Sequence, residues 1–167
     1  RYSHRLVLQD SRVVDLKKAR LVKIYATSKG LLIIKSKVNK ATQNNELLAQ
    51  WYSYDLRPID ESVLLAQSPI REFGDRGNFR LRISDNLAHI ALIYTERTPE
   101  KEVLLHYSLR NISLQEIAHK DVQIAVQYER FMIQDLILGN EKELFMLTGN
   151  IGKERNKKVQ NHYSLYH

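Results

Sequence analysis

The chain reads as all-β, built from antiparallel β-propeller-type blades, with a β-sandwich as the alternative. Three observations lead there. Apolar residues alternate with polar ones or gather in runs of four to six, and helical i, i+3, i+4 spacing rarely persists. Turn-forming residues punctuate these runs at short intervals. The same order of strands and turns then recurs with a period of roughly 50–58 residues, the spacing of propeller blades. The 167 residues are 43% hydrophobic and 27% charged, a one-domain length with enough apolar material for a core.

Strands are expected near 21–26, 31–36, 47–55, 79–83, 89–95, 103–109, 131–137 and 144–148. Leu31-Leu32-Ile33-Ile34 is a short buried run behind Thr27-Ser28-Lys29-Gly30, a good hairpin turn. Phe79, Leu81 and Ile83 alternate with Arg80 and Arg82, which gives a strand with one wet face. Ser84-Asp85-Asn86 breaks that strand, and Ile90 to Tyr94 resumes as a more buried one. Val103 to Leu109 is β-rich, and Leu114 to Ala118 begins a further segment, as Val63 to Ala66 does earlier. The last third repeats the plan with Phe131 and Ile133, a turn at Gly139-Asn140-Glu141, and Leu144 to Leu147. Residues 10 to 20 are the one stretch open to a short helix, and Val13-Val14 weighs against it.

The repeat shows in His106-Tyr107-Ser108-Leu109, which recurs as His162-Tyr163-Ser164-Leu165, and in Tyr52-Ser53 one period earlier. Tyr52, Tyr107 and Tyr163 are therefore expected at equivalent positions on the third strands of successive units. The domain reading is a basic N-terminal segment at 1–19, one blade at 20–78, a second at 79–130 and a partial third at 131–167. Propellers close with typically 4–8 blades. The chain, which begins at Arg1 rather than Met, is expected to belong to a larger propeller, or to an assembly that covers its open edge.

The openings LVKIYATSKGLLIIKS, FRLRISDNLAHIALIYTE and FMIQDLILGNEKELFMLTG resemble blade openings in large β-propeller repeat proteins of the Bacteroidota cell envelope. In that group an aromatic-led strand passes a Ser-Asp or Gly-Asn turn into an apolar second strand, and a tyrosine-bearing third strand follows. The resemblance covers roughly residues 20–167. The first unit departs from it, opening on Leu21 rather than an aromatic. What the resemblance implies is a non-catalytic envelope protein acting through protein or ligand contacts.

Composition excludes some chemistry. With no cysteine there is no disulfide, no thiolate metal site and no cysteine nucleophile. No apolar run approaches the ~18 residues of a membrane helix. Residues 1–40 hold eleven Lys or Arg against Asp10 and Asp15, a local +9 in a chain of +7. Such a segment could meet nucleic acid, an acidic partner or an anionic surface. The aromatics that nucleic-acid stacking needs are only Tyr2 and Tyr25 there, so a solvated basic face is the simpler reading.

The six histidines, His4, His89, His106, His119, His162 and His167, show no HxH, HxxxH or HExxH spacing. His106 and His162, at matching repeat positions, read as strand residues. A serine near each lacks the strained elbow and oriented base of a triad. Gly74-Asp75-Arg76-Gly77 is a turn without the order of a phosphate loop. Asp55, Asp60 and Glu61 lie close in sequence, and carboxylate chemistry would depend on their separation in space. Asn111-Ile112-Ser113 matches the glycosylation tripeptide, and 152–158 (GKERNKK) reads as a charged connector. Trp51 reads as core, though an exposed Trp would stack on a sugar or base. No catalytic, cofactor-binding or metal residue is therefore assigned.

The expected function is a non-enzymatic scaffold or interaction module of a cell-envelope or outer-membrane complex, binding other proteins. A glycan-binding or hydrolytic propeller, or a basic nucleic-acid-binding module, are the alternatives.

Overall fold

The computed structural model describes residues 13–71, 77–151 and 161–167. Among these, strands carry the fold and no α-helix occurs. Three antiparallel sheets follow the chain order. The first holds β1 (Arg20–Thr27), β2 (Gly30–Asn39), β3 (Asn44–Tyr52) and β4 (Val63–Pro69). The second holds β5 (Arg80–Ile83), β6 (His89–Arg97), β7 (Glu102–Asn111) and β8 (Glu116–Gln127). The third holds β9 (Phe131–Leu138), β10 (Leu144–Ile151) and β11 (Asn161–Tyr166), after a single 3-10 turn at Tyr128–Arg130. The chain is all-β, and each sheet is a blade-like meander of neighbouring strands. It divides into two compact units, 1–77 and 78–167.

In the first unit β2 is the central strand. Leu32, Ile33 and Ile34 are buried on both of its faces, which is why this stretch reads as a continuous apolar run rather than an alternating one. β3 alternates, burying Asn45, Leu47, Ala49 and Trp51 on one face. Each fully buried Leu or Ile here contributes about 1.5–3 kcal/mol. The β1–β2 hairpin closes at Thr27↔Gly30 around Ser28-Lys29, the turn expected from the sequence. Gly30 has φ +138°, and a Cβ there would stand 2.4 Å from the carbonyl oxygen of Tyr52. Glycine is required there for both reasons.

In the second unit the two sheets pack through Ile93, Val103 and Leu105 on one side and Ile133, Leu136 and Met146 on the other. Arg82 ties them at the margin, donating from Nε to the Leu136 carbonyl at 2.5 Å and pairing with Asp135 at 2.7 Å. The other face of β9–β11 is different. Ile137, Phe145, Leu147, Tyr163 and Leu165 all lie on it by register, and Ile137, Tyr163 and Leu165 are each at least 60% exposed.

One turn recurs through both units. In 53–57, 98–102, 111–115 and 139–143 the first N–H donates to the fifth carbonyl, and the fourth N–H donates back to the first carbonyl. The fourth residue is left-handed each time: Leu56 (φ 59°), Lys101 (66°), Leu114 (67°) and Lys142 (75°). In three of the four, a first-position side chain clamps the returning strand. Ser53 Oγ, Thr98 Oγ1 and Asn111 Oδ1 accept from the fifth N–H at 3.2, 3.1 and 3.0 Å. A one-residue-longer variant spans Ser84 to His89, with Leu87 left-handed at φ 59°.

Several expectations shift in detail. β3 ends at Tyr52 rather than 55, because Ser53 already opens a turn. β8 runs on to Gln127, well past Ala118. It is the edge strand of its sheet, exposed along most of its length, so its side chains follow no burial period. Its pairing with β7 is interrupted by register shifts near both ends. Residues 13–19 are not helical; Lys17 and Lys18 both take positive φ, 51° and 67°. Tyr52, Tyr107 and Tyr163 do lie on the third strands of their sheets, but in different registers. Tyr52 faces Leu31, next to the β1–β2 turn, whereas Tyr107 faces Ile93 in mid-strand and Tyr163 faces Gly149.

Candidate functional site

The first unit carries a cavity of about 560 Å³ whose floor is the β2–β3 surface. Register puts Ile33 opposite Gln50 and Lys35 opposite Leu48, so Lys35, Gln50 and Tyr52 share the face away from Trp51. Two irregular segments wall it. On one side Val13, Val14, Asp15 and Lys17 form a turn in which the Lys17 N–H donates to Asp15 Oδ1 at 2.8 Å. On the other, the 53–62 connection brings Leu56, Pro58, Glu61 and Ser62 back over the strand ends. It is held there by a Tyr52↔Pro58 bridge and by the Ile59 N–H donating to the Trp51 carbonyl at 2.8 Å.

The floor is a convergence of donors. Lys35 Nζ, Tyr52 OH and Ser62 Oγ each donate to Gln50 Oε1, all at 3.0 Å. The Gln50 amide nitrogen donates to the Asp60 carbonyl at 2.8 Å, which fixes which end of the amide is oxygen. Lys35 is only 8% exposed and Tyr52 only 5%. Burial, and then the neighbouring charges of Lys17 and Lys37, hold the Lys35 ammonium below its ordinary range. Burial pushes the Tyr52 phenol up. Both shifts follow from desolvation, which disfavours the charged form of either group. Chemically the site offers a buried cation and two hydroxyls. It can bind and orient a polar ligand.

The histidines lead to a second polar cluster, in the second unit. His106 Nδ1 donates to Asp121 Oδ1 at 2.8 Å, and His119 Nε2 stands 3.1 Å from the same oxygen. Glu96 lies 3.9 Å from His106 Nε2. The Tyr94 ring stacks on His106 at 4.4 Å, and burial with the nearby carboxylates of Glu96, Asp121 and Glu116 raises its phenol to about 12. Ser108, on the same strand face as His106, turns its hydroxyl to Glu116 at 3.1 Å and not to the imidazole. Among the described residues no group of three or more His, Asp or Glu is placed to hold a metal.

The remaining candidates are dispersed. His89 is partly buried, and His167 stacks on Phe145. Asp60 pairs with Lys29 at 3.6 Å and Glu61 lines the cavity, so these two carboxylates serve different neighbours. Trp51 is core, 2% exposed, with Lys29 Nζ 4.8 Å from its ring centroid. Asn111 spends its side chain on Gln115. His4, 74–76 and 152–158 lie outside the described residues, as does the side chain of His162. The sequence reading missed Lys35, Gln50 and Ser62 as a group. The signal was Lys35 itself, a cation continuing the buried run Leu31–Ile34.

No family model matches the chain, and no curated protein does. Among solved structures, an endo-arabinase from Bacteroides thetaiotaomicron is similar at 11% identity and a TM-score of 0.46. The match covers 86% of this chain and 53% of that one, so the chain spans about half its length. A TM-score of that size speaks for neither fold nor activity.

Proposed function

We propose that the chain is a non-enzymatic binding module, built of blade-like sheets, that holds a polar, hydroxyl-rich ligand of the glycan class in the first unit's cavity. One observation carries this reading: a buried ammonium and two hydroxyls converge on a single amide oxygen at the floor of a cavity of about 560 Å³. A volume of that order suits a ligand of one or two sugar rings. The walls add Asp15 and Glu61 as acceptors for ligand hydroxyls, and Pro58 and Leu56 as apolar surface for ring faces. The envelope placement rests on the resemblance of the blade openings. Saturation-transfer NMR against a panel of mono- and disaccharides tests the reading. Transfer to at least one sugar that is lost in Gln50→Ala supports it, and no transfer to any of them removes it.

A second reading, contact with a protein partner, is favoured by the apolar outer face of β9–β11. The inner face of β9 and β10 is covered by another antiparallel sheet, so a sheet of the same kind is the occupant that fits the outer one. Leu165→Asp should then abolish co-purification of an envelope partner while leaving sugar binding intact.

A further inference from the structure

Among the described residues, Lys35 is a buried cation without a buried anion. Its ammonium has three N–H donors, and among the described residues its hydrogen-bond partner is the neutral amide oxygen of Gln50. Buried charges are ordinarily paired, because an uncompensated one retains most of its desolvation cost. The amide oxygen is also oversubscribed. It has two lone pairs and receives three donors, from Lys35, Tyr52 and Ser62. At least one of these donors is in surplus and can turn to a ligand without leaving Gln50 bare. All three face the same cavity.

We infer that the cavity selects a sugar bearing a carboxylate, a uronic acid, whose carboxylate settles on Lys35 Nζ with Tyr52 OH and Ser62 Oγ beside it. The inference rests on the glycan reading and adds the ligand's charge to it. Lys17, on the cavity wall, and Lys37 give the floor a positive field that an anion would relieve. The wall carboxylates of Asp15 and Glu61 set an upper limit on that anion. A single carboxylate can reach the floor between them, whereas a dianionic phosphate or a phosphodiester chain would face like charges on both sides. Those same carboxylates then accept from sugar hydroxyls, so the cavity matches a ligand that is acidic at one position and hydroxylated elsewhere.

Calorimetric titration with galacturonate and galactose at matched ionic strength tests this. Galacturonate should bind about tenfold or more tighter, the size of one charge-assisted hydrogen bond. Lys35→Gln should bring the two affinities together, and Lys35→Arg, which keeps the charge, should preserve a preference. Acetate provides an arm that needs no variant: it should compete with galacturonate and leave galactose binding unchanged. Equal affinities in the unaltered protein overturn the uronate inference while the glycan reading stands. Binding of neither sugar overturns both.

Discussion

On β6 and β7, Tyr94 stacks on His106, and His106 is met by Asp121 at 2.8 Å and approached by Glu96. On β2 and β3, Lys35 reaches, among the described residues, the amide of Gln50 alone. Both clusters sit on the second and third strands of a four-stranded antiparallel sheet. The difference lies in what the next strand and its connection supply. β8 places Asp121 beside the histidine, so the imidazole N–H meets a carboxylate within the sheet. The 53–62 connection places a backbone carbonyl and the Ser62 hydroxyl beside Gln50, so the positive charge has no counterpart in the floor. A cluster closed on itself contributes to stability. One left open is a place for something else to bind.

Four experiments sharpen or break that contrast. The largest effect belongs to Gly30→Ala. The added Cβ meets the Tyr52 carbonyl at 2.4 Å on a backbone at φ +138°, so a loss of about 2–4 kcal/mol in urea unfolding is expected, with Tyr52 displaced from the floor. Next, the two clusters should respond in opposite directions to removal of a charge. Asp121→Ala leaves His106 without its acceptor and should cost about 1–2 kcal/mol. Lys35→Met removes an unpaired buried charge and should be neutral or stabilising. A Lys35→Met loss as large as the Asp121→Ala loss would erase the contrast.

The pH dependence is the third test, and its signs also differ. Tyr94 titrates higher in the fold, at about 12, than in the unfolded chain, at about 10. Its contribution is whole below about 10 and is lost as pH rises toward 12. Absorbance at 295 nm should show this phenol ionising last, and Tyr94→Phe should flatten that decline. Lys35 titrates lower in the fold than unfolded. Just below its ordinary value of 10.5 the unfolded chain therefore holds a proton that the fold has released, and stability rises with pH there. That rise should be absent in Lys35→Gln. The smallest effect is at the turn shared by both units: Lys101→Gly relieves a left-handed lysine at φ 66° and should stabilise by about 0.5–1 kcal/mol.

Much of the β organisation was legible because burial imposes period. The all-apolar run Leu31–Ile34 became the central strand of its sheet, and Ser28-Lys29 became a two-residue hairpin turn. The recurring turn was legible only in part. Its Ser, Thr or Asn opening is a visible cue, but the left-handed residue is Leu or Lys rather than the Gly or Asn that would have announced it. The extent of β8 was hidden because an exposed strand carries no apolar alternation. The candidate site was hidden for a different reason. Gln50 and Tyr52 sit one and two same-face steps from Lys35 along the β2–β3 pairing, and Ser62 returns ten residues after Tyr52 through a loop. Their convergence depends on pairing and loop closure, which no spacing along the chain encodes. The tyrosine repeat misled in register because matching letters do not reveal how far each strand stands from its turn.

The edge position of β8 bears on how copies of the chain behave together. An edge strand offers unpaired backbone groups to any other strand that can lie alongside it, which is how sheets grow from one molecule into the next. β8 puts His119, Lys120 and Asp121 in the middle of that edge, and breaks in its register against β7 bend the strand near both ends. An incoming strand would have to follow those bends and accommodate the three polar side chains. Fibril growth needs a flat, uncharged template, and along β8 the chain does not provide one.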